Sequence, residues 1–182
     1  SVATILGVLA EIKRGGFATL TAAIASEYGQ ITGVQSASWA TARVGTPVDN
    51  TIVDPGAVQV GALLVGGCYI CLQGFLSFDT SSIPDAAEIL TAVLAIPGAG
   101  SLGNAWTCEA RLDDYGATLT GADWVVGASL AAKTLLATSA NGTAPFVAEA
   151  AFIANINKTG STRILLCDAN QTNNVAPTGL AG

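Results

Sequence analysis

The chain has 182 residues, of which only 20 are charged, seven basic and thirteen acidic, and it contains no histidine. With mean hydropathy +0.53 and a pI near 4.3 it has no Lys/Arg cluster to displace counterions from a phosphate backbone, which argues against a nucleic-acid partner. The missing histidine removes the usual base for a Ser or Cys nucleophile, and no run approaches the roughly 20 apolar residues of a membrane span.

The first segment alternates. Val2, Thr4, Leu6, Val8, Ala10 and Ile12 share one face of an extended strand, with Ala3, Ile5, Gly7, Leu9 and Glu11 on the other. β-Branched Val2, Thr4 and Val8 and the lack of an N-cap favour a strand over a helix. The run stops at Lys13-Arg14-Gly15-Gly16, where two glycines suit a hinge. Burying its six large aliphatics (Val2, Ile5, Leu6, Val8, Leu9 and Ile12) is worth about 9 to 18 kcal/mol. Ordering twelve residues costs roughly 12 to 24 kcal/mol, so the strand is stable only where ladder hydrogen bonds join the packing. Residues 1–16 are therefore read as a candidate inter-subunit donor strand with its hinge at Gly15 and Gly16, ahead of one β-sandwich domain over 17–182. The alternative is that residues 1–12 begin their own domain, followed by a strand over Phe17 to Ile24. No charged region precedes the apolar start, so no complete signal peptide is read; a processed chain, or one that has lost only its initiator Met, is expected.

Between Tyr28 and Gly67 the chain is rich in Gly, Ser and Thr, and Pro47 and Pro55 punctuate short alternating runs, which predicts short strands and loops. Asp49, Asn50 and Asp54 only faintly imitate a calcium loop, and no metal is expected. Cys68 and Cys71 form a C-x-x-C without a second such pair, which weakens zinc or redox use. Residues i and i+3 of a strand point to opposite faces, so these two do not pair with each other. Each is expected to reach Cys108 or Cys167 as a structural disulfide in an oxidising compartment, with free buried thiols as the alternative.

Leu72 to Ile96 is the most informative stretch and reads as a hairpin of two strands. Leu72, Gly74, Leu76 and Phe78 oppose Gln73, Phe75, Ser77 and Asp79 in a first arm; Leu90, Ala92, Leu94 and Ile96 oppose Ile89, Thr91, Val93 and Ala95 in a second. Both faces of both arms are nearly apolar, which predicts strands in the middle of a sandwich. Between them Asp79, Ser81, Ser82 and Pro84 form a corner whose side chains bond backbone N–H groups and stop the ladder.

Downstream, Trp106 to Leu112 alternates, 121–126 and 134–138 supply edge or connecting elements, and Asn141-Gly142 signals a turn. Adjacent Asp113 and Asp114 point apart in a strand and form no acid/base pair. Trp39, Trp106 or Trp124 could stack on sugars, although a packed Trp is the commoner arrangement. Sequons at Asn141, Asn157 and Asn170 fall in predicted loops and are candidate glycosylation sites. Residues from Asn173 onward read as an irregular tail.

An aromatic strand ending in F-D (Phe75 to Asp79), an S-S-I-P corner (Ser81 to Pro84) and a following strand carrying Ala87, Ile89, Ala92 and Leu94 resemble the bacterial extracellular jelly-roll modules called DNRLRE-type domains. Relatives of these modules also occur in phage tails. Phe152 to Asp168 is similar to the family's helical turn, "IN..G.T" loop and closing strand, so the resemblance spans roughly residues 60 to 178. It implies an all-β, jelly-roll-like sandwich. Gln73 stands where the family often has Arg, and Arg163 is the basic residue left near the closing strand, so architecture alone carries over.

Exposed apolar surface beyond a few hundred Å² marks contacts between chains, and so apolar a sequence predicts a polymer of itself, with attached glycans as a second partner class. The function expected is a non-enzymatic, cofactor-free structural subunit of an extracellular or cell-surface filament. A virion structural protein is the alternative, and a carbohydrate-binding module the third reading.

Overall fold

A computed structural model of the chain describes residues 7–12, 16–21, 27–53, 58–95, 105–141, 146–147 and 150–179. The architecture is all-β, with few and short helices. β1 (Gly7–Ile12), β2 (Gly16–Thr21), β7 (Ile89–Ala95) and β10 (Phe146–Val147) form one antiparallel sheet in the order β10-β7-β1-β2. The larger sheet runs β4 (Asn50–Val53), β3 (Gly29–Thr32), β6 (Cys68–Asp79), β11 (Ser161–Asp168), β8 (Thr107–Leu112) and β9 (Leu135–Ala140), and β5 (Gly61–Val65) also pairs with β6. The eleven described strands thus form two antiparallel sheets of four and seven, the sandwich-like all-β arrangement expected.

Strand β6 organises the large sheet. Residues 71–78 are all buried, as expected for a strand covered on both faces. Leu72 is the register partner of both Thr32 and Gly61, so β3 and β5 lie on opposite edges of β6. Along the β5 edge, β11 takes over from Gly74 to Asp79, the two strands sharing one side of a single long partner.

Period-two alternation sorts the core into two layers. Leu76, Phe78, Ala110, Ile164 and Leu166 pack against Ala92, Leu94 and Phe146 of the small sheet. On the other face, Ile31, Cys71, Phe75, Leu165 and Cys167 pack under Tyr115, Leu119, Trp124 and Leu130. That second cover comes from connections: α1 (Trp39–Val44), a 3-10 turn at Gly121–Asp123, α2 (Gly127–Leu130) and α4 (Ala169–Asn173). One further short helix, α3 (Ala150–Ala154), brings Phe152 into the inter-sheet core.

The predicted corner differs from expectation in one respect. β6 and β7 are not paired with each other but lie in opposite sheets, so the Asp79 to Pro84 corner is an arch between layers. Its local chemistry is as expected, since the Asp79 carboxylate accepts from the Ser81 N–H at 3.0 Å and from its hydroxyl at 2.6 Å. The second arm is also wetter than its sequence suggests. A bulge between the β1 and β7 registers leaves Leu90 unpaired and 42% exposed.

The two segments that carry the family resemblance meet in space. Thr80 donates its N–H to the Gly160 carbonyl at 3.1 Å, and its hydroxyl meets the carbonyls of Asn157 and Gly160 and the Thr162 hydroxyl. Lys158 reaches the Asp85 and Ala87 carbonyls. The corner and the 157–162 loop therefore lock one end of the sandwich.

Candidate functional site

The N-terminal segment is the element whose placement matters most for assembly. β1 pairs antiparallel with β2, from Gly7↔Thr21 to Ile12↔Gly16, and with β7, from Gly7↔Ala95 to Ile12↔Ile89. Val8, Leu9 and Ile12 thus lie within their own chain's sheet, the alternative to exchange, while Val2, Thr4, Ile5 and Leu6 lie outside the described residues. Gly16 is not a free hinge: it opens β2 as the ladder partner of Ile12, and Gly15 falls outside the described residues. Lys13 to Gly15 join the two strands of a β-hairpin, and that hairpin meets β7 along the β1 seam.

Beyond the hairpin the chain is pinned at Glu27. This residue is 4% exposed, and its carboxylate accepts from the Ser77 hydroxyl at 2.5 Å and from Arg163 Nη2 at 3.2 Å. Its carbonyl accepts from the Tyr115 hydroxyl at 2.5 Å. Arg163 continues to Asp114 at 2.8 Å. Burial works against the Arg163 charge, but the bonds to Asp114 and Glu27 outweigh it and raise its pKa. Burial pushes the Tyr115 phenol well above its ordinary range, so it stays a neutral donor. β6, β11 and the 113–115 segment therefore converge on the point where the hairpin leaves the sandwich.

Further polar groups are buried around the large sheet. Glu109, 7% exposed, is bonded to Arg111 at 2.9 Å and to the Thr172 hydroxyl at 2.7 Å. Arg43 donates to the carbonyls of Gln171, Gly127 and Thr172, which ties α1, α2 and α4 together. Asp168 sits where β11 hands over to β5: it accepts from the Ala62 N–H at 3.1 Å and caps α4 through the Asn170 N–H at 2.8 Å. Burial raises its pKa to about 6.

All four cysteines are free thiols, in place of the expected cross-links. Cys108 and Cys167 project into opposite core layers, and extension of the β6/β11 register places Gln73, not Cys71, across from Cys167. Cys68 is half-buried next to the β5–β6 turn. Burial pushes the Cys71 and Cys167 thiols up to about 12 and Cys108 well above its usual value, which leaves all three poor nucleophiles.

The remaining sequence candidates are placed as follows. Trp106 and Trp124 are buried, and Trp124 donates to the Val44 carbonyl at 2.6 Å, so neither offers a flat exposed ring; Trp39 packs edge-on to Tyr69. Asn141 follows β9 in a left-handed turn with φ 55°, as its turn signal predicts. Asn157 is exposed in the α3–β11 loop, but Asn170 lies in α4, not in a loop. Asp49 accepts from the Gln35 N–H, and Asp54 lies outside the described residues.

Gly98, Gly100 and Gly103 also carry G-x-G-x-x-G spacing. They lie outside the described residues, but the spacing follows an antiparallel strand and the next described element is β8, which is not the βαβ setting that motif requires. An open pocket of about 380 Å³ is lined by Asp113, Tyr115, Asp123, Trp124, Ser129 and Lys133. Its carboxylates are already engaged, Asp113 with Lys133 and Asp123 with Thr120, so it presents no unpartnered acid. Among the described residues no helix is long and apolar enough to cross a membrane, and no group of three or more His, Cys, Asp or Glu side chains is arranged to hold a metal.

Comparison with protein-family models, with curated proteins and with solved structures gave no match to this chain. The likeness to the extracellular jelly-roll modules thus rests on the motif residues alone.

Proposed function

We propose that this chain is a non-enzymatic structural subunit that assembles with copies of itself into an extracellular or cell-surface filament, its N-terminal hairpin being the inter-subunit element. The observation that carries this reading is the seam between β1 and β7. The β1–β2 ladder is internal to the hairpin and moves with it, so withdrawing the hairpin opens the β1–β7 ladder. Reseating it on the β7 of another copy remakes each of those pairs, which is the condition for exchange at low cost. The buried Glu27 anchor fixes the chain on the sandwich side of the joint, so the unit exchanged in this reading is the whole hairpin, in place of a single strand swinging at Gly15-Gly16.

The sparse charge supports the same reading, since the exposed apolar residues include Val44, Val65, Leu90 and Val175 and have few charges to solvate around them. A virion subunit assembled inside a reducing cell is the second reading, and the four unbridged thiols favour it over a secreted fibre. The buried Trp106 and Trp124 offer a carbohydrate-binding module no stacking platform, and half-buried Trp39, edge-on to Tyr69, is the one candidate ring left to that third reading.

The test is deletion of residues 1–21, with assembly followed by light scattering and electron microscopy and folding by circular dichroism. The full chain is expected to polymerise. The truncated chain is expected to stay monomeric and to recover its native spectrum when a peptide of residues 1–21 is added. Polymerisation of the truncated chain would remove the hairpin from the interface, and failure of the full chain to polymerise would refute the filament itself.

A further inference from the structure

Of the three sequons, the geometry points to Asn157 as the one acceptor of an N-linked glycan on the folded chain. A transferase must reach the amide nitrogen of Asn and read the hydroxyl two residues later at the same time, so both groups have to be exposed and not committed to buried partners. At 157–159 they are. Asn157 and Thr159 are exposed, and the Asn157 Oδ1 accepts from the Thr159 N–H at 3.0 Å and from its hydroxyl at 2.9 Å, an Asx turn that presents both groups on one side of the loop. The amide nitrogen makes one long contact, to the Ser161 carbonyl at 3.3 Å.

The loop beneath is fixed from inside. The Asn157 N–H donates to the Thr162 hydroxyl at 2.9 Å and its carbonyl accepts from Thr80, so a sugar on the side chain displaces no packing.

Asn170 fails on both groups and Asn141 on the Asn itself, Thr143 lying outside the described residues. Asn170 belongs to α4, its side chain leans on Asp168, and the Thr172 hydroxyl is committed to buried Glu109 at 2.7 Å. Reading that sequon would mean unwinding the helix and stripping a buried carboxylate of one of its donors. Asn141 is held against Trp106 by two bonds, its Oδ1 accepting from the Trp106 N–H at 3.0 Å and its own N–H donating to the Trp106 carbonyl at 2.9 Å.

The donor is an oligosaccharide linked to a lipid through a diphosphate. The Asn157 nitrogen forms a bond to C1 of the first sugar, the C1–O bond to phosphate breaks, and the lipid diphosphate leaves with the electron pair. The amide proton passes to a carboxylate of the transferase. Such chemistry belongs to the outer side of a membrane, so occupancy at Asn157 also bears on where the subunit is exported. The inference does not depend on the filament reading.

The test incubates the folded, purified full chain with a single-subunit oligosaccharyltransferase and a lipid-linked oligosaccharide, and maps the product by peptide mass analysis. Synthetic peptides covering the three sequons confirm that the enzyme accepts each sequence. One glycan is expected, on Asn157, lost in Asn157→Gln and Thr159→Ala, retained in Thr159→Ser, Asn141→Gln and Asn170→Gln. A folded chain that stays at its polypeptide mass while the peptide of residues 155–161 is modified would overturn the inference. So would a glycan on Asn141 or Asn170.

Discussion

Replacing Glu27 by Ala removes the acceptor that holds Ser77 and Arg163 beneath the N-terminal hairpin. Both ion-pair partners are largely desolvated, with side-chain exposures of 6% for Glu27 and 17% for Arg163. Breaking a buried pair by deleting one partner costs roughly 3 to 5 kcal/mol, because the remaining charge is left uncompensated. Arg163 keeps Asp114, whose side chain is 84% exposed and therefore screened, which softens the loss. Ser77 loses its acceptor at 2.5 Å, adding about 1 kcal/mol. The expected cost is about 2 to 4 kcal/mol, read as a lower midpoint in urea with an unchanged slope. Glu27→Gln retains an acceptor for Ser77 and should lose about half as much. In Arg163→Met the deletion of Glu27 should cost much less than in the wild type, a coupling of at least about 1 kcal/mol. A Glu27→Ala variant within about 0.5 kcal/mol of wild type would refute the anchor.

Three further outcomes follow from the packing and the pKa shifts. Gly45 has φ 72° and an added Cβ would lie 2.2 Å from the Trp124 ring, so Gly45→Ala should destabilise by about 3 kcal/mol or more in the same urea assay. Asp168 has a folded pKa of about 6 against an ordinary 3.8, so the folded state binds more protons between those values and the contribution of this group to stability falls as pH rises from about 4 to 6. The stability difference between wild type and Asp168→Asn should therefore turn against wild type by up to about 3 kcal/mol across that window, at 1.36 kcal/mol per unit. A flat difference between denaturation series at pH 4 and pH 6 would contradict it. With Cys71, Cys108 and Cys167 buried and their thiols raised, maleimide at pH 7.5 should label Cys68 alone in the native protein and all four cysteines in urea, as counted by mass.

The strands were legible where one periodicity governed a long run. β6 stands out because Leu72 to Asp79 alternate without interruption, β11 because Phe152 to Asp168 resemble a closing strand with the turn and loop before it, and the Asp79 corner because Asp, Ser and Pro each have a local reason to be there. Partnership was not legible, since alternation says that a strand exists and not which sheet it joins; the corner therefore read as a hairpin and proved an arch between layers. Glu109 and Arg111 alternate with Cys108 and Ala110 along β8, but α2 and α4 cover their face as a third layer that no strand pattern announces, and the charges are buried as a pair. Helix α1 had a signal that went unread: Ser38 accepts from the Thr41 N–H as N-cap, and Gly45 closes the helix in the left-handed region seven residues later. The cysteines misled because spacing within a strand fixes which thiols cannot pair, while pairing across a sheet depends on a register that only the fold supplies.

The most direct test of hairpin exchange uses two cysteine pairs on a Cys68→Ser background, oxidised after assembly from an equal mixture of isotopically heavy and light chains. Leu9→Cys with Val93→Cys spans the seam between β1 and β7, and Ala10→Cys with Ala18→Cys spans the hairpin itself. Exchange of the hairpin predicts heavy–light hybrids for the Leu9–Val93 pair and cross-links within one chain for the Ala10–Ala18 pair. Filaments in which the Leu9–Val93 link stays within one chain would contradict exchange, and hybrids at both pairs would move the pivot back to Gly15-Gly16.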